Sequence, residues 1–255
     1  MLVTGANGGL GRAISRALRD EECALVVTGR RTDPVEALAA EVGGTAVVAD
    51  LSVRADLDRL LNEAGDLDVV VMNAALPASG DLEDWVQPDI DKALEVNLGN
   101  PIAMTRALLP AWRKRGSGHF VFVSSLSGKV ASPAGSLYAA TKFGMRGFAA
   151  GLRCDLLGTG IGCSIINPTF VRDAGMFVNG GGRTPFNLGT VTPERCATAV
   201  VRAIRSNRFE LDVAPWYMRI GAAIGSLAPG LAGPIQARLD PGVSDALVEG
   251  QRGRR

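Results

Sequence analysis

The chain has 255 residues, 47% of them hydrophobic and 21% charged, with a formal net charge of +1 at pH 7. That length and apolar content suffice for one α/β domain over residues 1–255, and the mixing of acidic with basic residues excludes the charge footprint of a nucleic-acid binder. The one histidine, His119, leaves no material for a multi-His metal centre, so no metal site is expected, and the four cysteines (Cys23, Cys154, Cys163, Cys196) show no C-x-x-C spacing. Each cysteine sits in an apolar context and reads as a buried free thiol of a reducing compartment.

The start reads as neither a signal peptide nor an anchor, which with the free thiols places the protein in the cytoplasm. A short apolar strand over residues 1–4 runs into Thr4-Gly5-Ala6-Asn7-Gly8-Gly9-Leu10-Gly11. Glycine at such a turn lets backbone N–H groups approach a pyrophosphate, and a helix opening at Gly9 points its positive end at the anion. A central parallel strand usually runs about five residues, so this first strand is short and a trimmed start is one reading of it.

Downstream, strand-length apolar runs at 23–28, 45–49, 68–72, 119–124, 161–166 and 209–213 alternate with amphipathic segments at 9–20, 33–42, 53–65, 88–115, 137–157 and 193–205. Asp33 before Pro34 and Thr192 before Pro193 are expected caps. The alternation predicts a Rossmann-like, doubly wound sheet of about seven parallel strands with helices on both faces. Ligands of such sheets sit at the carboxyl ends of the strands. After the fifth strand come Ser124-Ser125-Leu126-Ser127-Gly128, and then Tyr138-Ala139-Ala140-Thr141-Lys142 opens a helical pattern. Tyr138 and Lys142 share one helix face, where an ammonium favours the phenolate and lowers the phenol's pKa. His119 begins its strand, away from the carboxyl end, and is assigned a structural role.

Taken together, these motifs resemble the short-chain dehydrogenase/reductase family over about residues 1–215. Its T-G-x-x-x-G-x-G pattern is met by Thr4, Gly5, Gly9 and Gly11, S-x-x-G by Ser125 to Gly128, and Y-x-x-x-K by Tyr138 to Lys142; Ser125 and Asn97 lie 13 and 41 residues before Tyr138, in the family's register. The resemblance implies a catalytic set of Asn97, Ser125, Tyr138 and Lys142. In it Tyr138 is the general acid or base, Ser125 positions the substrate oxygen, and Lys142 binds the nicotinamide ribose and tunes Tyr138. Asn97 holds a water that links Lys142 to solvent. It also implies cofactor contacts from Gly5, Asn7, Gly9, Leu10, Gly11, Asp50, Leu51, Asn73, Pro168, Val171 and Asp173, besides Tyr138 and Lys142. Asp50 stands where the family bonds the adenine, although capping the next helix fits it equally.

Which nicotinamide is read from the end of the second strand, Thr28-Gly29-Arg30-Arg31. A carboxylate there takes ribose hydroxyls, whereas a 2′-phosphate needs cations. With Arg30 and Arg31 on offer and no acid before Asp33, NADP(H) is favoured and NAD(H) remains possible. Two stretches depart from the family pattern. N-N-A-G appears as Met72-Asn73-Ala74-Ala75, with Asn73 expected to keep a structural role. P-G-x-V-x-T appears as Pro168-Thr169-Phe170-Val171-Arg172-Asp173, where the Asp173 charge would favour the oxidised ring.

Residues 169–191, with Phe170, Met176, Phe177 and the run Asn179 to Gly182, read as a lid over an apolar pocket. The apolar C-terminal extension over about 215–248 is too interrupted by Gly225, Pro229, Gly230 and Pro234 to span a bilayer. It reads as a core or subunit contact, with a pocket wall or a membrane-surface element as alternatives. The reading is an NADP(H)-dependent oxidoreductase that interconverts a carbonyl and a secondary alcohol on a small apolar molecule. A non-catalytic NADP-binding sensor or scaffold, an NAD-dependent dehydrogenase, and an epimerase or dehydratase are the rivals. Family members pair through the helices corresponding to 98–115 and 137–157, which implies a homodimer or homotetramer.

Overall fold

A computed structural model describes residues 1–172, 189–228 and 230. In chain order the main elements are β1 (Leu2–Val3), α1 (Gly9–Asp20), β2 (Val26–Gly29), α2 (Thr32–Val42), β3 (Thr45–Val48), α3 (Arg54–Ala64) and β4 (Val69–Met72). They continue with α4 (Gln87–Leu94), α5 (Asn100–Arg115), β5 (Gly118–Val123), α6 (Ser136–Asp155), β6 (Ile161–Pro168), β7 (Phe170–Val171), β8 (Thr190–Val191), α7 (Pro193–Ser206), β9 (Glu210–Val213) and α8 (Trp216–Leu227).

Seven strands form one sheet in the order β3-β2-β1-β4-β5-β6-β9, every neighbour pair parallel, and β7 and β8 form a separate parallel pair. Alternation along the strands sends successive side chains to opposite faces, and each face has its own helices. Val3, Val27, Val71, Val121 and Ile166 pack with Ile14 and Leu18 of α1, Leu38 of α2 and Val200 of α7. Leu2, Val70, Phe120, Phe122 and Ile165 pack with Leu57 of α3, Trp112 of α5 and Met145 of α6. Both faces are therefore covered, as the apolar runs require.

β1 is hydrogen-bonded to β2 on one side and to β4 on the other, so the chain winds outward from β1 in both directions. That reversal opens a crevice at the carboxyl ends of β1 and β4, and the glycine loop lies there.

Several boundaries differ from the expectations. The 88–115 segment is two helices, α4 and α5, joined by one wide π turn over Glu95–Gly99. α2 begins at Thr32 with Arg31 as its N-cap, so Asp33 lies inside the first turn and caps nothing, whereas the Thr192 hydroxyl does accept from the Arg195 N–H at 3.2 Å. Cys154 is exposed while Cys163 and Cys196 are buried, and all four cysteines are free thiols. Cys154 stands two residues from the buried Leu152 on α6, which turns it to the opposite side of the helix.

His119 is buried at the start of β5, where its Nε2 lies 2.8 Å from Ser164 Oγ. Ser164 Oγ donates to the Arg208 carbonyl at 2.7 Å, so the imidazole must donate to Ser164. Burial pushes the imidazole down to about 4, with Arg153 adding to the shift. α8 leaves Trp216, Tyr217, Ile220, Ile224 and Leu227 exposed. Among the described residues no helix is long and apolar enough to cross a membrane.

Candidate active site

The glycine loop is built by close backbone approaches. Gly5 has φ +59°, and a Cβ there would lie 2.8 Å from Ala74 Cα; a Cβ on Gly11 would fall onto the Gly5 carbonyl oxygen. Such a turn admits only glycine at both positions. Thr4 and Asn73 lock it to β4. Thr4 Oγ1 accepts from the N–H groups of Asn73 and Ala74, both at 3.0 Å, while Asn73 Nδ2 donates to the carbonyls of Thr4 (3.0 Å) and Gly5 (3.2 Å). Asn73 thus has the structural role expected of it. α1 opens at Gly9 after Gly8, and no side chain caps its N-terminus. The half-buried Asn7 and Leu10 flank this opening, whose amides and dipole suit an anion.

Arg30 and Arg31 are both exposed just past β2. Across from them Asp50 lies two residues beyond the end of β3, accepting from Ser52 N (2.9 Å) and Ser52 Oγ (2.8 Å). Burial pushes its carboxyl up, but the Ser52 bonds and the nearby Arg30 and Lys92 outweigh this and hold it below the usual range. Asp50 is not the cap of α3, which falls to Val53. Leu51 is buried, and its carbonyl accepts from Asn100 Nδ2.

Ser125 follows β5 and caps a single 3-10 turn, its Oγ accepting from Ser127 N at 3.1 Å. This turn lies directly on α6: a Cβ on Gly128 would come within 2.8 Å of the Lys142 carbonyl oxygen, which explains the glycine in S-x-x-G. On α6, Tyr138 lies near enough to Ser125 for that side chain to pull its phenol pKa down. Lys142, 2% exposed, places Nζ 5.6 Å from the Tyr138 ring centroid and donates to the Val123 carbonyl at 3.1 Å. Asn97 sits in the π turn, fully buried, with Nδ2 donating to the Leu76 carbonyl (3.0 Å) and Oδ1 accepting from Leu76 N (2.6 Å).

The electrostatics correct one expectation. Spacing alone has the ammonium pulling the phenol down. Tyr138 keeps some exposed surface, yet burial of its phenol dominates and pushes it up to about 12, against a lesser downward pull from Ser125. Desolvation likewise pushes Lys142 down to about 8. In the free protein the lysine, not the tyrosine, titrates near neutrality.

Pro168 ends β6, and Val171, in β7, pairs with Val191 of β8. Thr169 Oγ1 donates to the Gly189 carbonyl at 3.3 Å and lies 3.5 Å from Met218 Sδ on α8. Asp173, Met176, Phe177 and most of the expected lid lie outside the described residues, as do residue 229 and residues 231–255 of the C-terminal extension.

The sequence reading named Thr4 in the glycine motif without giving it a role, and passed over a partly buried polar group beside the site: Lys129, Arg146, Asn167, Glu210 and Asp212. Glu210-Leu211-Asp212-Val213 carried a usable signal, because two acids at alternate positions of a strand share one face.

Comparison with known proteins bears on this arrangement. A family model described as short chain dehydrogenase matches residues 1–180. The chain is 31% identical over 243 residues to ketoacyl reductase HetN of Nostoc sp., covering 90% of this chain and 85% of that protein. It is 33% identical over 219 residues to the NADP-dependent 3-hydroxy acid dehydrogenase YdfG of Salmonella typhi, covering 78% and 86%. Among solved structures, the closed form of serine dehydrogenase complexed with NADP+ superposes with a TM-score of 0.76 at 27% identity, over 84% of this chain and 95% of that one.

Proposed function

The chain belongs to the short-chain dehydrogenase family and is an NAD(P)-dependent oxidoreductase, and from that premise we propose that it interconverts a carbonyl and a secondary alcohol on a small apolar molecule with NADP(H). The observation that carries the proposal is the convergence of Ser125, Tyr138 and Lys142 at the carboxyl end of β5, with Ser125 near enough to the Tyr138 phenol to lower its pKa and Lys142 Nζ 5.6 Å from the centre of its ring.

The glycine loop fits a dinucleotide, since its uncapped helix N-terminus and its close backbone approaches leave room where a side chain would intrude. Gly5, Asn7, Gly9, Leu10 and Gly11 would hold the pyrophosphate, Asp50, Leu51 and Asn73 the adenosine side, and Pro168, Val171 and Asp173 the nicotinamide side. Two exposed guanidiniums at the end of β2 support a 2′-phosphate, and with it NADP(H) over NAD(H). The similar YdfG, an NADP-dependent enzyme, and the serine dehydrogenase complexed with NADP+ agree with this choice.

When bound, the nicotinamide supplies the hydride in reduction and takes it in oxidation. Ser125 Oγ donates a hydrogen bond to the substrate oxygen. Tyr138 gives that oxygen its phenolic proton as the alcohol forms, and takes it back in the reverse direction. The high phenol pKa keeps Tyr138 protonated at neutral pH, the form that reduction requires. Lys142 stabilises the phenolate left behind and binds the nicotinamide ribose. Asn97 spends its amide on Leu76, so the relay water assigned to it would bond the second lone pair of Oδ1.

An apolar substrate is supported by Leu126, next to Ser125, which packs with Val130, Ala214 and Met218. Carbonyl and alcohol chemistry is supported by the similar proteins HetN, a ketoacyl reductase, and YdfG, a 3-hydroxy acid dehydrogenase. Exposed Ile102 on α5 and Phe143 on α6 support pairing of two or four copies through those helices, and the free thiols support the cytoplasm. The test is nicotinamide absorbance with a panel of apolar ketones, β-keto thioesters and secondary alcohols. Turnover with NADP(H) on any of them supports the reading; none with either nicotinamide refutes it.

A further inference from the structure

Resting on that reading, we propose that Glu210 and Asp212 of β9 form a positioning hub for the reacting side chains, with Lys129 as the strut that holds the Ser125 turn in place. None of these residues is placed against substrate or cofactor; each acts through a neighbour.

Three segments carry the proposed reacting and nicotinamide-side residues, and each sends one side chain to the two carboxylates. From the Ser125 turn, Lys129 reaches across 83 residues of sequence to place Nζ 2.7 Å from Asp212 Oδ2 and 3.3 Å from Glu210 Oε2. On α6, Arg146 follows Lys142 by one helical turn and grips Glu210 with two guanidinium nitrogens, Nε at 2.7 Å and Nη2 at 3.3 Å. At the end of β6, Asn167 precedes Pro168 and donates from Nδ2 to Glu210 Oε1 and to Asp212 Oδ1, both at 2.9 Å. Arg146 Nη1 also donates to Ser226 Oγ at 3.2 Å, which brings α8 into the same set.

Lys129 and Asn167 are buried, 7% and 0% exposed, while Asp212, Glu210 and Arg146 are half-buried around them. Burial of Glu210 pushes its carboxyl up, but Arg146, Lys129 and Asn167 outweigh this, so it stays ionised at neutral pH. Two cations and two anions balance within the set. Apolar side chains would fill this volume at no desolvation cost. Charges with fixed bond directions add geometry, since each partner holds the next at a set distance and angle. The links meet where the Ser125 to Tyr138 spacing is decided, and catalysis is sensitive to displacements of about 1 Å.

The experiment uses the full chain with Lys129→Met, Lys129→Arg and Asp212→Asn. Activity is read as kcat and KM, and NADPH affinity separately by fluorescence. The chain has two tyrosines, Tyr138 and Tyr217, so a Tyr217→Phe background leaves one tyrosine 13Cζ resonance, that of Tyr138. Lys129→Met is expected to lower kcat by about 10- to 100-fold with NADPH affinity nearly unchanged. It should also move the Tyr138 resonance in the direction that Ser125→Ala moves it, with Lys129→Arg restoring both. Unchanged kcat and an unmoved resonance in the folded variant overturn the proposal, even if the melting temperature falls. Should the single variants not fold, the Lys129→Met/Asp212→Leu pair removes both charges together, and the same readouts decide. A wild type that turns over no substrate counts against the oxidoreductase reading alone, because the resonance reports positioning without turnover.

Discussion

The Lys142 ammonium lies 5.6 Å from the centre of the Tyr138 ring, yet it donates its hydrogen bond to the Val123 carbonyl, 3.1 Å away. The pair is therefore assembled but not directly bonded in the free protein. A charge buried this far carries a cost. With its pKa down at about 8 against an ordinary 10.5, Lys142 binds fewer protons in the folded chain than in the unfolded chain between those values. Stability contributed through this group thus rises with pH across that window, and below about 8 the full cost of burial applies.

Lys142→Met is accordingly expected to stabilise the free protein at pH 7, by up to about 3 kcal/mol before the unbonded Val123 carbonyl takes back a part, and so to raise its melting temperature. Its advantage should shrink as pH rises toward 10. Thermal melts of wild type and variant across pH 7 to 10 check this; a variant less stable than wild type at pH 7 contradicts it.

His119 acts with the same sign at the acid end. Its folded pKa of about 4 lies below the ordinary 6.5, so the unfolded chain gains a proton that the folded chain refuses as pH falls through that interval. Stability is expected to drop between pH 6.5 and 4. His119→Gln, which keeps a donor for Ser164, should flatten the acid side of the stability profile measured by chemical denaturation, and an unaltered slope would remove His119 as its cause.

In the glycine loop, Gly11→Ala drives a methyl into the Gly5 carbonyl oxygen. Backbone cannot yield as a flexible side chain does, so the variant should lose about 1–3 kcal/mol of stability and most of its NADPH affinity. Calorimetry with and without NADPH measures both, and unimpaired binding would show that the loop tolerates the shift.

Arg30 lies near enough to Asp50 to help hold that carboxyl down, which puts its charge on the adenosine side. Arg30→Ala should weaken NADPH by about 1.5–3 kcal/mol and leave NADH nearly unaffected. Parallel fluorescence titrations decide, and equal losses for both nucleotides would point to a general loop defect.

Much of this was legible in the sequence for a physical reason. Continuous apolar runs such as Val69 to Met72 can only be strands covered on both faces, and the glycine spacing states a backbone constraint directly. What escaped was set by long-range contact. Periodicity marks 88–115 as helical but cannot see that the ladder widens at Glu95–Gly99 to bury Asn97. Spacing put Lys142 beside Tyr138 but not the depth of burial that raises the phenol. The Lys129 to Asp212 bond spans 83 residues and no local pattern announces it.

The most direct test of the account is Tyr138→Phe, assayed for turnover and for NADPH affinity on the same preparation. Removal of one hydroxyl should lower kcat by about 10²- to 10⁴-fold and leave NADPH affinity within about twofold, less than 0.5 kcal/mol. Turnover close to wild type would contradict Tyr138 as the acid and base, and with it the assignment of the whole site.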